Sequence, residues 1–135
     1  MTVKEFMRKY CMVSISMSDP ASNKIWGIKR PRIVCKDGFS ISVQGSENHY
    51  CQPRENLIDK DYESVELGFP SAEDDLIEEF AEEPECPCDT VYGWVPIDTV
   101  EKLVEKHGGI KGPDEESLKW MEDRCRCSNY CYYTW

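Results

Sequence analysis

A chain of 135 residues is long enough to bury a core and too short for two well-built domains with separate clefts, so one domain is expected. Its 26 acidic residues against 16 Lys and Arg give a formal net charge of -10, which sets the chain against phosphate backbones and anionic membranes as direct ligands. No run is long and apolar enough to span a bilayer, and Met1 to Phe6 carry neither an export signal nor an anchor motif, so a cytoplasmic protein with reduced cysteines is expected.

Thr2-Val3-Lys4-Glu5 has the form of a capping box and predicts a short helix over about 3–9. Val13, Ile15 and Met17 alternate with small polar residues, the period of a half-buried strand over 11–17, and residues 19–24 read as a loop. Residues 32–35 and 39–43 flank Lys36-Asp37-Gly38 and predict a hairpin, because Asp-Gly supplies the positive φ of a tight turn; Phe39, Ile41 and Val43 then face the core. Residues 46–61, with Pro53, have no periodicity and read as a long loop of the kind that carries function.

A strand is predicted over 62–67. Ser71 then caps a helix over 71–83 with Leu76, Ile77 and Phe80 as its buried stripe. After Pro84 to Cys88 come a strand over 90–95 and a helix over 97–107 that places Ile97, Val100, Leu103, Val104 and His107 on one face and stops at Gly108-Gly109. A last helix near 114–124 leads into a Cys- and aromatic-rich tail. Strands and helices in this order point to a single α+β domain, a mainly antiparallel sheet with helices packed on it.

Charge is partitioned along the chain. Residues 1–54 hold nine Lys and Arg against four acids, whereas Glu55 to Asp89 hold fourteen acids against Lys60 alone. In the expected 71–83 helix, Asp74, Glu78 and Glu82 form one i,i+4 ladder and Asp75, Glu79 and Glu83 another. Four like-charge pairs oppose such a helix by roughly 1–2 kcal/mol. With Glu73, they place seven carboxylates along about 15 Å of rise, near the charge density of a duplex backbone. These seven residues are the candidate surface for a basic partner, the alternative being a solvated face that keeps the protein soluble.

Cys125, Cys127 and Cys131 are close enough to hold zinc with one of His49, Cys51 or His107, although Cys-x-Cys is a less specific signal than Cys-x-x-Cys. The plainer reading is packed or exposed thiols and no cofactor. His49 and Cys51, two apart on one extended segment, rarely point at each other, and no phosphate loop, zincin pair or serine elbow occurs, so a non-enzymatic protein is expected. His107 reads as a helix-end histidine that packs and bonds the terminal carbonyls. His49, Tyr50 and Arg54 on the long loop form the alternative ligand site, suited to a nucleotide or another small molecule. Lys24, Lys29, Arg30, Arg32 and Lys36 cluster near Trp26, a pattern suited to gripping phosphates or to pairing with the acidic segment of the same or another copy, and the second makes a homo-oligomer a further candidate. Tyr130, Tyr132, Tyr133 and Trp135 form a tail expected to dock.

Lys36-Asp37-Gly38-Phe39 running to Ser42-Val43-Gln44, His49-Tyr50-Cys51 with Pro53-Arg54, Gly68-Phe69-Pro70, and Thr90 to Pro96 ending at Lys106-His107-Gly108-Gly109 resemble small phage and prophage proteins of gut Firmicutes, over about residues 30–110. The resemblance implies a phage setting in the host cell and a role among accessory proteins that inhibit host defence or transcription, anti-CRISPR proteins included; a structural or assembly protein of the virion is a further candidate. Combined with the acidic segment, it leads to the expectation of an inhibitor that binds a basic host protein that handles nucleic acid, with neither nucleic acid nor membrane bound directly.

Overall fold

The computed structural model describes residues 1–15 and 24–135, so the loop expected at 19–24 and the Met17 end of the first strand lie outside the described residues apart from Lys24. The chain runs α1 (Val3–Lys9), β1 (Met12–Ile15), β2 (Ile25–Lys29), β3 (Ile33–Cys35), β4 (Ser40–Gln44), β5 (Ser64–Gly68), β6 (Val91–Pro96), α2 (Ile97–Lys106), β7 (Ile110–Pro113), α3 (Glu115–Arg126) and β8 (Cys131–Tyr133). The strands make two antiparallel sheets, β6-β5-β4-β3-β7 and β2-β1-β8, and the fold is α+β.

The capping box forms as its residues dictate. Thr2 Oγ1 accepts from the Glu5 amide and the Glu5 carboxylate accepts from the Thr2 amide. Gly38 turns the β3–β4 hairpin at φ 97°. Val3 and Phe6 of α1 and Val100, Leu103 and Val104 of α2 lie on the five-stranded sheet and close the main core with Ile33, Ile41, Val65, Leu67 and Val95. The Glu101 carboxylate accepts from the Val3 amide at 2.7 Å, joining the two helices.

Arg30, at the center of the basic stretch, is 2 % exposed. Its guanidinium donates to three carbonyls, Met7 at 2.9 Å, Gly45 at 2.8 Å and Leu57 at 2.9 Å, and so ties α1 to both ends of the long loop. Burial removes it from any basic surface. Arg32 likewise turns to Ser40 Oγ and the Phe69 carbonyl, and Lys29 lies over the Trp120 ring. Among the described residues, Lys29, Arg30 and Arg32 make no ion pair with the acidic segment.

The tail docks as expected. β8 adds to β1, Thr134 bonds to Lys9 and Cys11, and Trp135 stacks on Tyr133 and donates to Glu122. α3 and β8 are joined by a Cys125–Cys131 disulfide with Cα atoms 5.3 Å apart. The expectation of reduced cysteines is corrected for this pair.

Candidate functional site

The acidic segment is not an α-helix. Its regular structure is a single 3-10 turn, Glu78–Phe80, within a chain of turns. Asp74 explains the difference. Its carboxylate accepts from the Leu76 amide at 3.0 Å and its carbonyl from the Ile77 amide at 3.3 Å, a local turn that competes with helical bonding, and the like-charge ladders gave the helix nothing to offset it. Ser71, expected as the helix cap, instead accepts from the Ser40 amide on the hairpin. Ile77 is fully buried and Phe80 half-buried, but Leu76 is exposed, so the expected apolar stripe is one residue short. The ladders and their duplex-like rise go with the helix.

The carboxylates nonetheless remain outward. Glu73, Asp75, Glu78, Glu79, Glu82, Glu83, Glu85 and Asp89 are exposed, and none makes an ion pair among the described residues. Asp74 is the exception within the expected site. It is buried, and the Lys106 ammonium and His107 Nε2 meet its two oxygens at 3.1 and 2.9 Å. The nearby cations are therefore committed to the one acid that points inward.

His107 is more than a helix-end histidine. Its Nδ1 lies 2.6 Å from Asp37 on the β3–β4 turn, and its ring stacks on Phe39 with centroids 4.0 Å apart. With a carboxylate at each nitrogen, both ring positions donate, which is the imidazolium form. Burial pulls its pKa down, but the bonds to Asp37 and Asp74 outweigh it and hold the value above the ordinary one. At Asp74 burial pushes the carboxyl up, and the Leu76 amide, His107 and Lys106 together bring it below the usual range. The result is a clamp in which the end of α2 fastens the acidic segment to the hairpin.

The long loop folds against β6. Ser46 Oγ lies 2.6 Å from His49 Nδ1, and Glu66 is 3.8 Å from His49 Nε2. Ser46 is 1 % exposed and its hydroxyl also accepts from the Asn48 amide, so this line props the loop and offers no accessible nucleophile. Cys51 is buried and donates to the Ser46 and Pro53 carbonyls, away from His49. Of the alternative ligand residues, Tyr50 lines a cavity; Arg54 lies 5.5 Å over the Tyr50 ring with its Nε donating to the Glu47 carbonyl.

That cavity, about 350 Å³, is lined by Tyr50, Phe80, Glu82, Val91, Gly93 and Trp94. A bulge builds it. Val65 pairs with Val95 and Leu67 with Tyr92, so Glu66 alone faces both Gly93 and Trp94. Trp94 takes φ 51°, a left-handed backbone that costs a non-glycine residue about 1–3 kcal/mol, and is 54 % exposed. Its amide donates to the Tyr50 carbonyl at 2.9 Å, and the two rings lie 4.9 Å apart. Gly93 makes the approach possible, since a Cβ there would stand 3.3 Å from that of Tyr50.

No protein-family model, curated protein or solved structure matches this chain.

The expected zinc ligands do not converge as one cluster among the described residues. Cys125 and Cys131 are spent on their disulfide, leaving Cys127 exposed without them, and the described residues bring together no metal-holding group of three or more His, Cys, Asp or Glu. Cys86 and Cys88 are exposed free thiols in the turns at the end of the acidic segment. No described helix is long and apolar enough to cross a membrane. The aromatic cavity was missed in sequence because alternation marks a strand but not the bulge that turns Trp94 outward.

Proposed function

We propose that this chain is a non-enzymatic binding protein whose acidic segment docks on a basic protein that handles nucleic acid, and that it inhibits that protein by covering the surface meant for phosphates. The observation that carries this is the set of eight exposed carboxylates between Glu73 and Asp89 without an ion-pair partner among the described residues, on a segment held in place by Asp74, Lys106 and His107. Unpaired charges of one sign steer an oppositely charged partner and repel wrong ones. The likeness of residues 30–110 to small phage proteins gives the direction, an anti-CRISPR-like inhibitor acting in the host cell.

The test is affinity capture from a bacterial lysate beside a variant with Glu78, Glu79, Glu83 and Glu85 changed to Lys. A basic nucleic-acid-binding protein should be retained by the native chain, lost on charge reversal, and released as salt rises, because exposed pairs are screened within about 8 Å at physiological ionic strength. Equal retention by both chains with unchanged salt dependence would remove the basis of the proposal.

A further inference from the structure

The cavity beside β6 has three aromatic walls and one charged one. Tyr50 comes from the long loop, Phe80 from the 3-10 turn and Trp94 from the bulge, so three separate segments converge on one space. Glu82 completes it. The Glu82 amide donates to the Val91 carbonyl at 3.0 Å, which fixes its backbone, while its carboxylate makes no hydrogen bond or ion pair among the described residues.

Charge decides what fits. Glu82 lines the cavity and Glu66 lies across the bulge. The nearby cation, Arg54, is already over the Tyr50 ring with its Nε donating to the Glu47 backbone carbonyl, and does not line the space. A nucleotide would bring phosphates to these carboxylates. A cation meets both the ring faces and the carboxylate favourably. Between cations, a planar guanidinium stacks on an aromatic ring while donating to a carboxylate, whereas an ammonium is a compact, strongly hydrated charge that gains less from the rings.

We propose that this cavity seats an arginine side chain of a protein partner, stacked on Trp94 beside Tyr50 and hydrogen-bonded to Glu82. The proposal rests on the basic-partner reading for the source of the arginine, and the cavity is testable without that partner.

The probe is an acetylated, amidated Gly-Arg-Gly peptide, with the citrulline peptide of the same shape and no charge as its control, followed by NMR of the Trp94 indole and Tyr50 ring. Saturable shifts at both rings in the millimolar range are expected. The citrulline peptide, Glu82→Gln and Trp94→Ala should each weaken binding about 5- to 10-fold. Glu82→Gln changes an exposed side chain and keeps the native spectrum, so its result reads binding and not folding. No shift at Trp94, equal binding of the citrulline peptide, or shifts produced instead by uridine monophosphate would overturn the assignment. The two proposals separate cleanly. The variant reversed at Glu78, Glu79, Glu83 and Glu85 should still take the arginine peptide within about 3-fold, since Glu82 is kept. Peptide binding without capture of any basic protein defeats only the partner reading, and capture without peptide binding defeats only the cavity.

Discussion

Arg30 is a full positive charge enclosed by protein with no carboxylate among its hydrogen-bond partners. Its stability rests on three carbonyls that converge on one fork, an arrangement a guanidinium satisfies and an ammonium does not. Arg30→Met fills similar space but leaves the carbonyls of Met7, Gly45 and Leu57 without their donor. Each buried acceptor so orphaned costs about 1–3 kcal/mol, so urea unfolding should show a loss of about 3 kcal/mol or more. A loss under about 1 kcal/mol would mean that water replaces the side chain. Sequence placed this residue in a surface patch because charge and spacing were all it had to offer. The carbonyls that hold it come from positions 7, 45 and 57, which no local pattern connects.

The clamp at the end of α2 gives the acidic segment a pH window. His107 is held above its ordinary value, so its contribution is complete below a histidine's unfolded value of about 6.5 and is lost as pH rises through the raised one. Asp37 is held low first by the Phe39 amide and then by His107, and Asp74 is low as well, so their contributions are present above about 3.9 and are lost as pH falls through the lowered values. Protection of residues 75–83 against hydrogen exchange, taken relative to the unfolded-peptide rate at each pH, should therefore be greatest between those limits and fall on the alkaline side. Asp74→Asn should flatten the alkaline arm while residues 97–106 keep their protection. An unchanged profile in that variant would show that the clamp does not hold the segment. α1, with its capping box, and α2, with its apolar face and the Gly108-Gly109 stop, were legible from sequence, as were the hairpin and β5. The acidic segment was not, because Asp74 serves equally as an early helix residue and as the start of a turn. β7 was hidden for another reason: Ile110-Lys-Gly-Pro looks like a chain break, and Gly112 and Pro113 are tolerated there because β7 is an edge strand.

Across the whole molecule the thiols fall into three chemical classes. Cys86, Cys88 and Cys127 are exposed, Cys11, Cys35 and Cys51 are buried, and Cys125 and Cys131 are bonded. Burial, aided by Asp37, pushes the Cys35 thiol up to about 11, and burial raises Cys11 and Cys51 too. Iodoacetamide at neutral pH should label the first three quickly, the second three only in denaturant, and the last two only after reduction, as read by peptide mass spectrometry. Rapid labelling of Cys125 in the native, unreduced protein would contradict the pairing. The small sheet carries a different kind of consequence. β1 is its middle strand, with β2 close behind it in sequence and β8 more than a hundred residues later. On a ribosome β1 can find β2 early, but its other edge stays open until residues 131–133 have been made. While the more than one hundred residues between β1 and β8 are made, the nascent chain therefore presents an unpaired strand edge, the form most open to pairing with a neighbouring chain.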